Sequence, residues 1–432
     1  MQRLVLDDAK VGALLTGLAE VAALPDPLGV RTLHRTLAPG LELQRIACPI
    51  GVLCVIFEAR PEAVVQIASL AIKSGNAIIL KGGKEAAASN AVLVDVVRGA
   101  LATVPGVPVD AVQMVSSRDD IAELLKLDAY IDVRCRVASC YRRRHASSPP
   151  TSPTPNPPPP QLVIPRGSNK LVRDIKAATR IPVMGHADGV CAVYLDAAAD
   201  VAKAAAIAVD AKTHYPAACN AAETLLVHEA VVGSVLPPVA RALMGAGVRL
   251  HCDPASLAVA SAEYDAMRGA AGGAGGGGGG VAPPAPVAAV ESDYTMEWLA
   301  HEMTVAVVPS LPSAVAWING HGSHHTDAII TEDVEAAAAF TRGVDSAGVY
   351  VNASTRFADG YRYGFGAEVG ISTNRIHARG PVGLEGLVTY KYLLHGRGEA
   401  VSQFPAPPTA DTVTVGGVAL PRLAWAHTDL PL

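Results

Sequence analysis

From residue 50 the chain alternates short apolar runs with helically spaced stretches, and that alternation leaves few folds open. Residues 50–57 form one run, 61–74 carry helical spacing, 77–81 form a second run and 85–101 are helical again. A run near 113–115 and helical spacing over 119–125 continue the rhythm, and 181–195 followed by 197–210 resume it. Later runs lie at 224–228, 304–308, 328–331 and 349–352, with helical spacing at 231–244, 311–319 and 334–340. Strands separated by helices at these distances build βαβ units, whose parallel sheet is covered on both faces. The predicted class is α/β. Ahead of this pattern, 3–23 has helical spacing, and 30–47 reads as a hairpin about Ala38-Pro39-Gly40.

A chain of 432 residues holds roughly two or three domains. With 50% apolar and 17% charged residues, global disorder is excluded; with 4% aromatics, the cores must be built from Ala, Val, Leu and Ile. A net charge of −5 argues against a nucleic-acid or anionic-membrane surface, so neither partner is expected. No stretch has the length and uniform apolarity of a membrane span, and the amino terminus reads as neither signal nor transit peptide. Seven cysteines without a spacing framework are expected to stay reduced, as in a cytoplasmic or organelle-matrix enzyme.

Two segments break the pattern. Residues 134–161, Arg-rich and then Ser/Pro-rich, have too few apolar residues to pack and are expected to be a disordered insert. Cys135 and Cys140 within it lack a second pair, so zinc is not expected there. The Gly/Ala/Pro-rich stretch 269–290 reads as a flexible loop and matches a dinucleotide fingerprint by composition alone. Gly364 to Gly370 is a near miss for the same fingerprint, without a βαβ unit behind it.

Cys219 has the context of a reactive thiolate. It lies in Tyr-Pro-Ala-Ala-Cys219-Asn-Ala-Ala, a small-residue turn between a helix and an apolar run. Small neighbours leave backbone N–H groups able to converge on the sulfur or its substrate. Cys48, Cys54 and Cys191 sit in or beside strand-like runs and read as core. His321, His324 and His325 are spaced like a metal site, but no metal is expected.

Several strings occur in order: Phe57-Glu-Ala-Arg-Pro-Glu-Ala63, Gly75 through Glu85, Val163-Ile-Pro-Arg-Gly-Ser-Asn169, Gly185-His-Ala-Asp-Gly189, the Cys219 turn, Ile318 through Ile329, Val351-Asn-Ala-Ser-Thr-Arg-Phe357 and Gly364 through Glu385. Together they resemble gamma-glutamyl phosphate reductase, a branch of the aldehyde dehydrogenase superfamily, and look like the carboxy-terminal module of plant-type pyrroline-5-carboxylate synthase. The resemblance covers nearly the whole chain outside the two breaks. It implies a further amino-terminal helical segment ahead of this chain and, in the synthase, a glutamate kinase domain. Deleting 134–162 would restore a continuous family strand, so the segment reads as translated intron or an error in the assembled gene.

The fold so implied has a Rossmann-like cofactor domain over 1–27 and 48–189 and an α/β catalytic domain over 190–372. An oligomerisation flap is expected from 28–47 with 376–397, followed by a tail at 398–432. The implied reaction belongs to proline biosynthesis: NADPH reduces gamma-glutamyl phosphate to glutamate 5-semialdehyde and phosphate through a Cys219 thioester. Oxidising relatives activate water with a glutamate; the matching segment here, Gly185 to Gly189, has no carboxylate at that position. By resemblance Lys81, Lys84, Gly167, Ser168 and Glu302 hold the cofactor, and Arg60, Asn352, Ser354, Thr355 and Arg356 bind substrate. Glu223, four residues past Cys219, reads as a solvated or capping carboxylate. The expected partners are the substrate, a glutamate 5-kinase domain or protein, and further copies of this chain. The location implied is cytoplasmic, with the plastid as alternative. The competing readings are an oxidising semialdehyde dehydrogenase and a non-catalytic fragment of the synthase.

Overall fold

The computed structural model describes residues 4, 6–58, 60–115, 123–126, 160–273, 282–404, 411–415 and 417–432. The expected insert, with Cys135 and Cys140, and the helix expected at 119–125 fall wholly or mostly outside them. The chain divides into two compact units, one of residues 1–164, 178–183 and 383–432, the other of 165–177 and 184–382.

The first unit opens with helix α1 (Asp8–Ala23), whose first turn is capped by Asp7 Oδ1 accepting from Lys10 N at 2.8 Å. Strands β1 (Arg31–Ala38) and β2 (Leu41–Pro49) form the expected antiparallel hairpin. Gly40 turns it at φ +86°, a conformation that favours glycine. Then come β3 (Val52–Phe57), α2 (Ala63–Lys73), β4 (Ala77–Lys81), α3 (Ala87–Ala102), β5 (Val112–Met114) and β6 (Leu162–Arg166). They make a sheet of order β5-β4-β3-β6, with β3–β4 and β4–β5 parallel. All of β3 is buried, as its unbroken apolar run requires of a strand covered on both faces.

The second unit adds α4 (Asn169–Ala178), β7 (Cys191–Leu195), α5 (Val201–Thr213), β8 (Ala222–His228), α6 (Leu236–Gly245), β9 (Arg249–Cys252), α7 (Pro254–Gly273) and β10 (Val287–Ala288). It continues with β11 (Glu302–Val308), α8 (Leu311–His321), β12 (Thr326–Ile330), α9 (Val334–Gly343) and β13 (Gly348–Val351). The sheet runs β10-β9-β11-β8-β7-β12-β13, every pairing parallel. Period-two alternation splits each central strand between two cores. Val193, Leu195, Leu225, Val227, Ala328 and Ile330 pack with residues of α5, α6 and α7, whereas Ala192, Tyr194, Leu226 and Ile329 join Ile318 of α8 and Phe340 of α9.

The stretch expected to be a loop from 269 to 290 needs correction at both ends. Helix α7 runs to Gly273, and Val287–Ala288 pairs in parallel with His251 and Cys252. The helix starts firmly, with Ser256 N on Asp253 Oδ1 at 2.8 Å, and its Ala-rich body carries it past the first glycines. The short pair β14 (Ile371–Ser372) and β15 (Gly380–Pro381) closes this unit.

The chain then returns to the first unit. Strand β16 (Val388–His395) pairs antiparallel with β2 from Glu42 to Pro49. The tail carries the hairpin β17 (Thr412–Val415) and β18 (Val418–Pro421), and then β19 (Thr428–Asp429), which pairs with β1. Asn76, fully buried, fastens this return. Its Oδ1 accepts from Gly51 N at 2.7 Å, and its Nδ2 donates to Ser74 Oγ at 2.8 Å and the Leu387 carbonyl at 2.7 Å. Asn76→Ala deletes these buried bonds together, and urea denaturation is expected to show a loss of about 2–4 kcal/mol. Among the described residues no helix is long and apolar enough to cross a membrane.

Candidate active site

Three neighbouring strands, β8, β7 and β12, begin side by side, and the residues just ahead of each converge. Cys219 and Asn220 precede β8, the segment Gly185 to Gly189 precedes β7, and His325 precedes β12. The nucleophile candidate therefore sits at the amino ends of these strands. Parallel sheets more commonly gather ligands at their carboxyl ends.

Contact between the first two segments requires glycine: a Cβ on Gly189 would lie 2.0 Å from the Cys219 carbonyl oxygen. Cys191 Sγ donates to that same oxygen at 3.4 Å. The backbone bonds of the turn run from Ala218 N to the Tyr215 carbonyl and from Ala221 N to the Ala218 carbonyl, so neither uses the Cys219 N–H. Burial pushes the Cys54 and Cys252 thiols up to about 12 and raises Cys191 well above its ordinary value; all three are core thiols, whereas Cys219 is half-buried.

A ring nitrogen of His186, one of His325 and Cys219 Sγ all lie within 4.8 Å of one another. The two rings meet edge to face, with centroids 5.0 Å apart. His186 Nδ1 lies 3.1 Å from the Ile371 carbonyl, which can only accept, so Nδ1 carries a proton. Burial lowers the His186 pKa, against the Ile371 bond and the charges of Glu297 and Glu368. His325 is fully buried; its Nδ1 lies 2.9 Å from Thr326 Oγ1, and its Nε2 has no partner among the described residues. His321 and His324 do not join it: their Nδ1 atoms bond the carbonyls of Trp317 and Asp345.

The loop after β13 separates the expected substrate residues into different roles. Asn352, at φ +52°, clamps Thr331, accepting from its N–H at 3.0 Å and donating to its carbonyl at 2.8 Å. Ser354 Oγ caps the following turn by accepting from Arg356 N. Thr355 Oγ1 donates to the Asn220 carbonyl at 2.7 Å and Asn220 Nδ2 to the Ala358 carbonyl at 2.8 Å, which staples this loop to the cysteine turn. Arg356 is the one whose charged group remains available. It is buried, its Cζ lies 5.9 Å from the Tyr215 ring centroid, and its Nε has no partner among the described residues. Burial and neighbouring Arg362 lower its pKa, while Cys219, Asp359 and Asp210 oppose them. Arg60, in the first unit, is exposed.

One carboxylate departs from expectation. Glu223 is neither solvated nor a cap. It is fully buried against Lys212, accepts from Leu299 N at 3.3 Å, and is pushed by burial up to about 7. Glu302 is tied to His251 Nε2 at 2.9 Å, while Nδ1 of that ring lies 3.1 Å from Asp293. The carboxylate that meets the cysteine turn is Glu297, whose Oε1 accepts from Gly189 N at 2.8 Å; burial raises its pKa. His186, His325 and Glu297 are the residues that sequence reasoning missed as site members. No local signal marks the histidines: His325 precedes β12 and His186 lies in the loop before β7, and only the strand order brings both to the cysteine turn.

The first unit has a separate cleft of about 270 Å³ beyond the carboxyl ends of β4 and β5 and along α3. Gly82, Gly83, Ala87, Ala91, Val94, Met114 and Val115 line it, with Lys84, Arg98 and Asp95 as its charged groups. Beside it Asn90 is fully buried with neither amide atom partnered among the described residues. Lys81 ends β4 half-buried; Gly167 and Ser168 are exposed at the amino end of α4, where Ser168 Oγ accepts from Leu171 N.

No protein-family model matches the chain. It is 48% identical over 402 residues to gamma-glutamyl phosphate reductase 1 of Synechocystis sp., a match covering 93% of this chain and 80% of that protein. The crystal structure of gamma-glutamyl phosphate reductase from Thermotoga maritima superimposes with a TM-score of 0.77 at 33% identity, covering 92% of this chain and 84% of that one. An acetylating aldehyde dehydrogenase from Geobacillus thermoglucosidasius shares the fold at a TM-score of 0.58 and 17% identity, over 90% of this chain and 84% of that one. With the cysteine turn, its histidines and the glycine-lined cleft on an aldehyde dehydrogenase-like fold, these relationships place the chain in the gamma-glutamyl phosphate reductase family.

Proposed function

We propose that the protein reduces gamma-glutamyl phosphate to glutamate 5-semialdehyde and phosphate, in proline biosynthesis, through a thioester on Cys219. The observation that carries this reading is the cysteine turn itself. Its sulfur is half-buried and flanked by two imidazoles, and the segment matching the hydrolytic glutamate of oxidising relatives brings His186 instead. The Cys219 N–H, unused by the turn's own bonds, suits the oxyanion that forms when sulfur attacks. Arg356 suits the substrate's carboxylate or phosphate, because a guanidinium offers two parallel donors to such a group. Arg356→Lys is expected to raise KM for the anionic substrate about 10–100-fold in steady-state assays, because an ammonium cannot reproduce that fork.

NADP(H) fits the cleft on β4 and β5. Its glycines admit a close approach, much of its lining is apolar, and the orphaned amide of Asn90 lies beside it. Lys81 and Lys84 would take the adenosine ribose and its 2′-phosphate, and Gly167 with Ser168 the pyrophosphate at the amino end of α4. Glu302 would take the nicotinamide ribose, and Glu297, which accepts from Gly189 N beside the cysteine turn, is a second carboxylate suited to that role. When bound, the dihydronicotinamide supplies the hydride that reduces the thioester.

The hairpin joined by β16 leaves Tyr390, Tyr392 and Leu394 exposed, which suits the oligomer and flap expected of this segment. The test of function is the reverse reaction of the purified chain: glutamate semialdehyde and NADP⁺ should yield NADPH only when phosphate is added. Turnover without phosphate would point to an oxidising dehydrogenase, and a folded but inactive chain to a non-catalytic fragment.

A further inference from the structure

We infer that His186 is the proton acceptor for Cys219, taking the thiol proton as sulfur attacks, with His325 receiving a hydrogen bond from the imidazolium so formed. The inference rests on the Cys219 nucleophile proposed above. It starts from the lock on His186: with Nδ1–H held by the Ile371 carbonyl, the neutral ring presents its lone pair on Nε2. That ring shares a 4.8 Å cluster with Cys219 Sγ and with His325, whose buried Nε2 waits without a partner among the described residues. That buried nitrogen is an open acceptor or donor site, able to pair with a group that gains a proton beside it.

Around His186 lie the carboxylates of Glu297 and Glu368, the Arg166 guanidinium, the His325 ring and the Cys219 sulfur. Burial outweighs the two carboxylates and lowers the His186 pKa, which favours the neutral ring with its Nε2 lone pair open to a proton. As the S–C bond forms, the S–H bond breaks and an N–H bond forms on His186. The acyl C–O bond then breaks with its electron pair on phosphate oxygen, which takes the proton from His186 and departs. After reduction the thiohemiacetal collapses to aldehyde and thiolate, and a solvent proton restores the thiol.

The experiment compares His186→Ala and His186→Asn with the wild-type chain, reading Cys219 alkylation by iodoacetamide in mass spectra and reverse-reaction kinetics. Asparagine keeps a donor for the Ile371 carbonyl, so the loop is held if alanine loosens it. At neutral pH alkylation should slow at least about tenfold and phosphate-dependent kcat should fall about 10²–10⁴-fold, with KM for NADP⁺ within about twofold. Both deficits should shrink as pH rises, because hydroxide then supplies the thiolate without a protein base. Wild-type rates in either folded variant, or a deficit unchanged up to about pH 9, would overturn the assignment. Alkylation needs neither substrate nor cofactor. A wild-type chain whose alkylation depends on His186 but which lacks phosphate-dependent turnover therefore refutes the reductase reading and supports this one. Full turnover without His186 refutes this one alone.

Discussion

Cys219→Ala is expected to lower phosphate-dependent turnover by at least about 10⁴-fold while NADPH titration still reports binding. No neighbouring group can replace the lost sulfur. Cys191 is the nearest thiol along the turn, yet it is fully buried, bonded to the Cys219 carbonyl, and raised by burial far from ionisation. Cofactor binding should persist because the cleft formed by Gly82, Gly83, Lys84, Ala91, Val94 and Met114 draws nothing from the cysteine turn. Cys219→Ser sharpens the test. A hydroxyl is a far weaker acid than a thiol, so the serine variant should stay near the alanine variant even with both imidazoles in place. A serine variant near wild-type rate would show that attack by sulfur is not the difficult step.

Much of this was legible in the sequence because the signals were local. The αβ alternation marked β3, β4, β8, β11, β12 and their helices, since buried strands need apolar runs and helices need their own spacing. The hairpin over β1 and β2 followed from Pro39-Gly40. What escaped was set by strand order. Nothing along the chain says that β12 lies beside β7 and β7 beside β8, and only that order brings His325 and His186 to Cys219. The loop of Asn352, Ser354, Thr355 and Arg356 was singled out as one anion site, yet three of its side chains spend their bonds on Thr331, Arg356 N and the Asn220 carbonyl. Polar residues in a turn satisfy backbone groups as readily as ligands, and a sequence does not distinguish the two uses. Strand β9 was missed because Arg249, Leu250, His251 and Cys252 alternate polar and apolar residues over only four positions, the least that reads as a strand; it is held by pairing with β11.

Lys212→Met is the substitution expected to cost most stability. Lys212 on α5 and Glu223 on β8 are both fully buried and bonded to one another beneath the cysteine turn. Removing one partner of a buried pair leaves the other either charged without compensation or forced to take up a proton, a loss of about 3–5 kcal/mol in equilibrium urea unfolding at neutral pH. The loss should depend on pH in a definite sense. Burial already raises Glu223 from 4.5 to about 7 with Lys212 present, and losing the cation can only raise it further. Between the unfolded and folded values the native state binds more protons than the unfolded chain, so stability falls as pH rises through that window. The variant should accordingly regain stability on acidification from neutral toward about pH 5, as the unfolded chain's Glu223 also takes up its proton. Adding Glu223→Gln to Lys212→Met removes the charge altogether and should restore most of the neutral-pH loss, because the amide can still accept from Leu299 N. If the single variant loses stability equally at both pH values, or the double variant is no better, Glu223 is already uncharged in the native protein. The pair would then be a neutral hydrogen bond under the active cysteine rather than an ion pair.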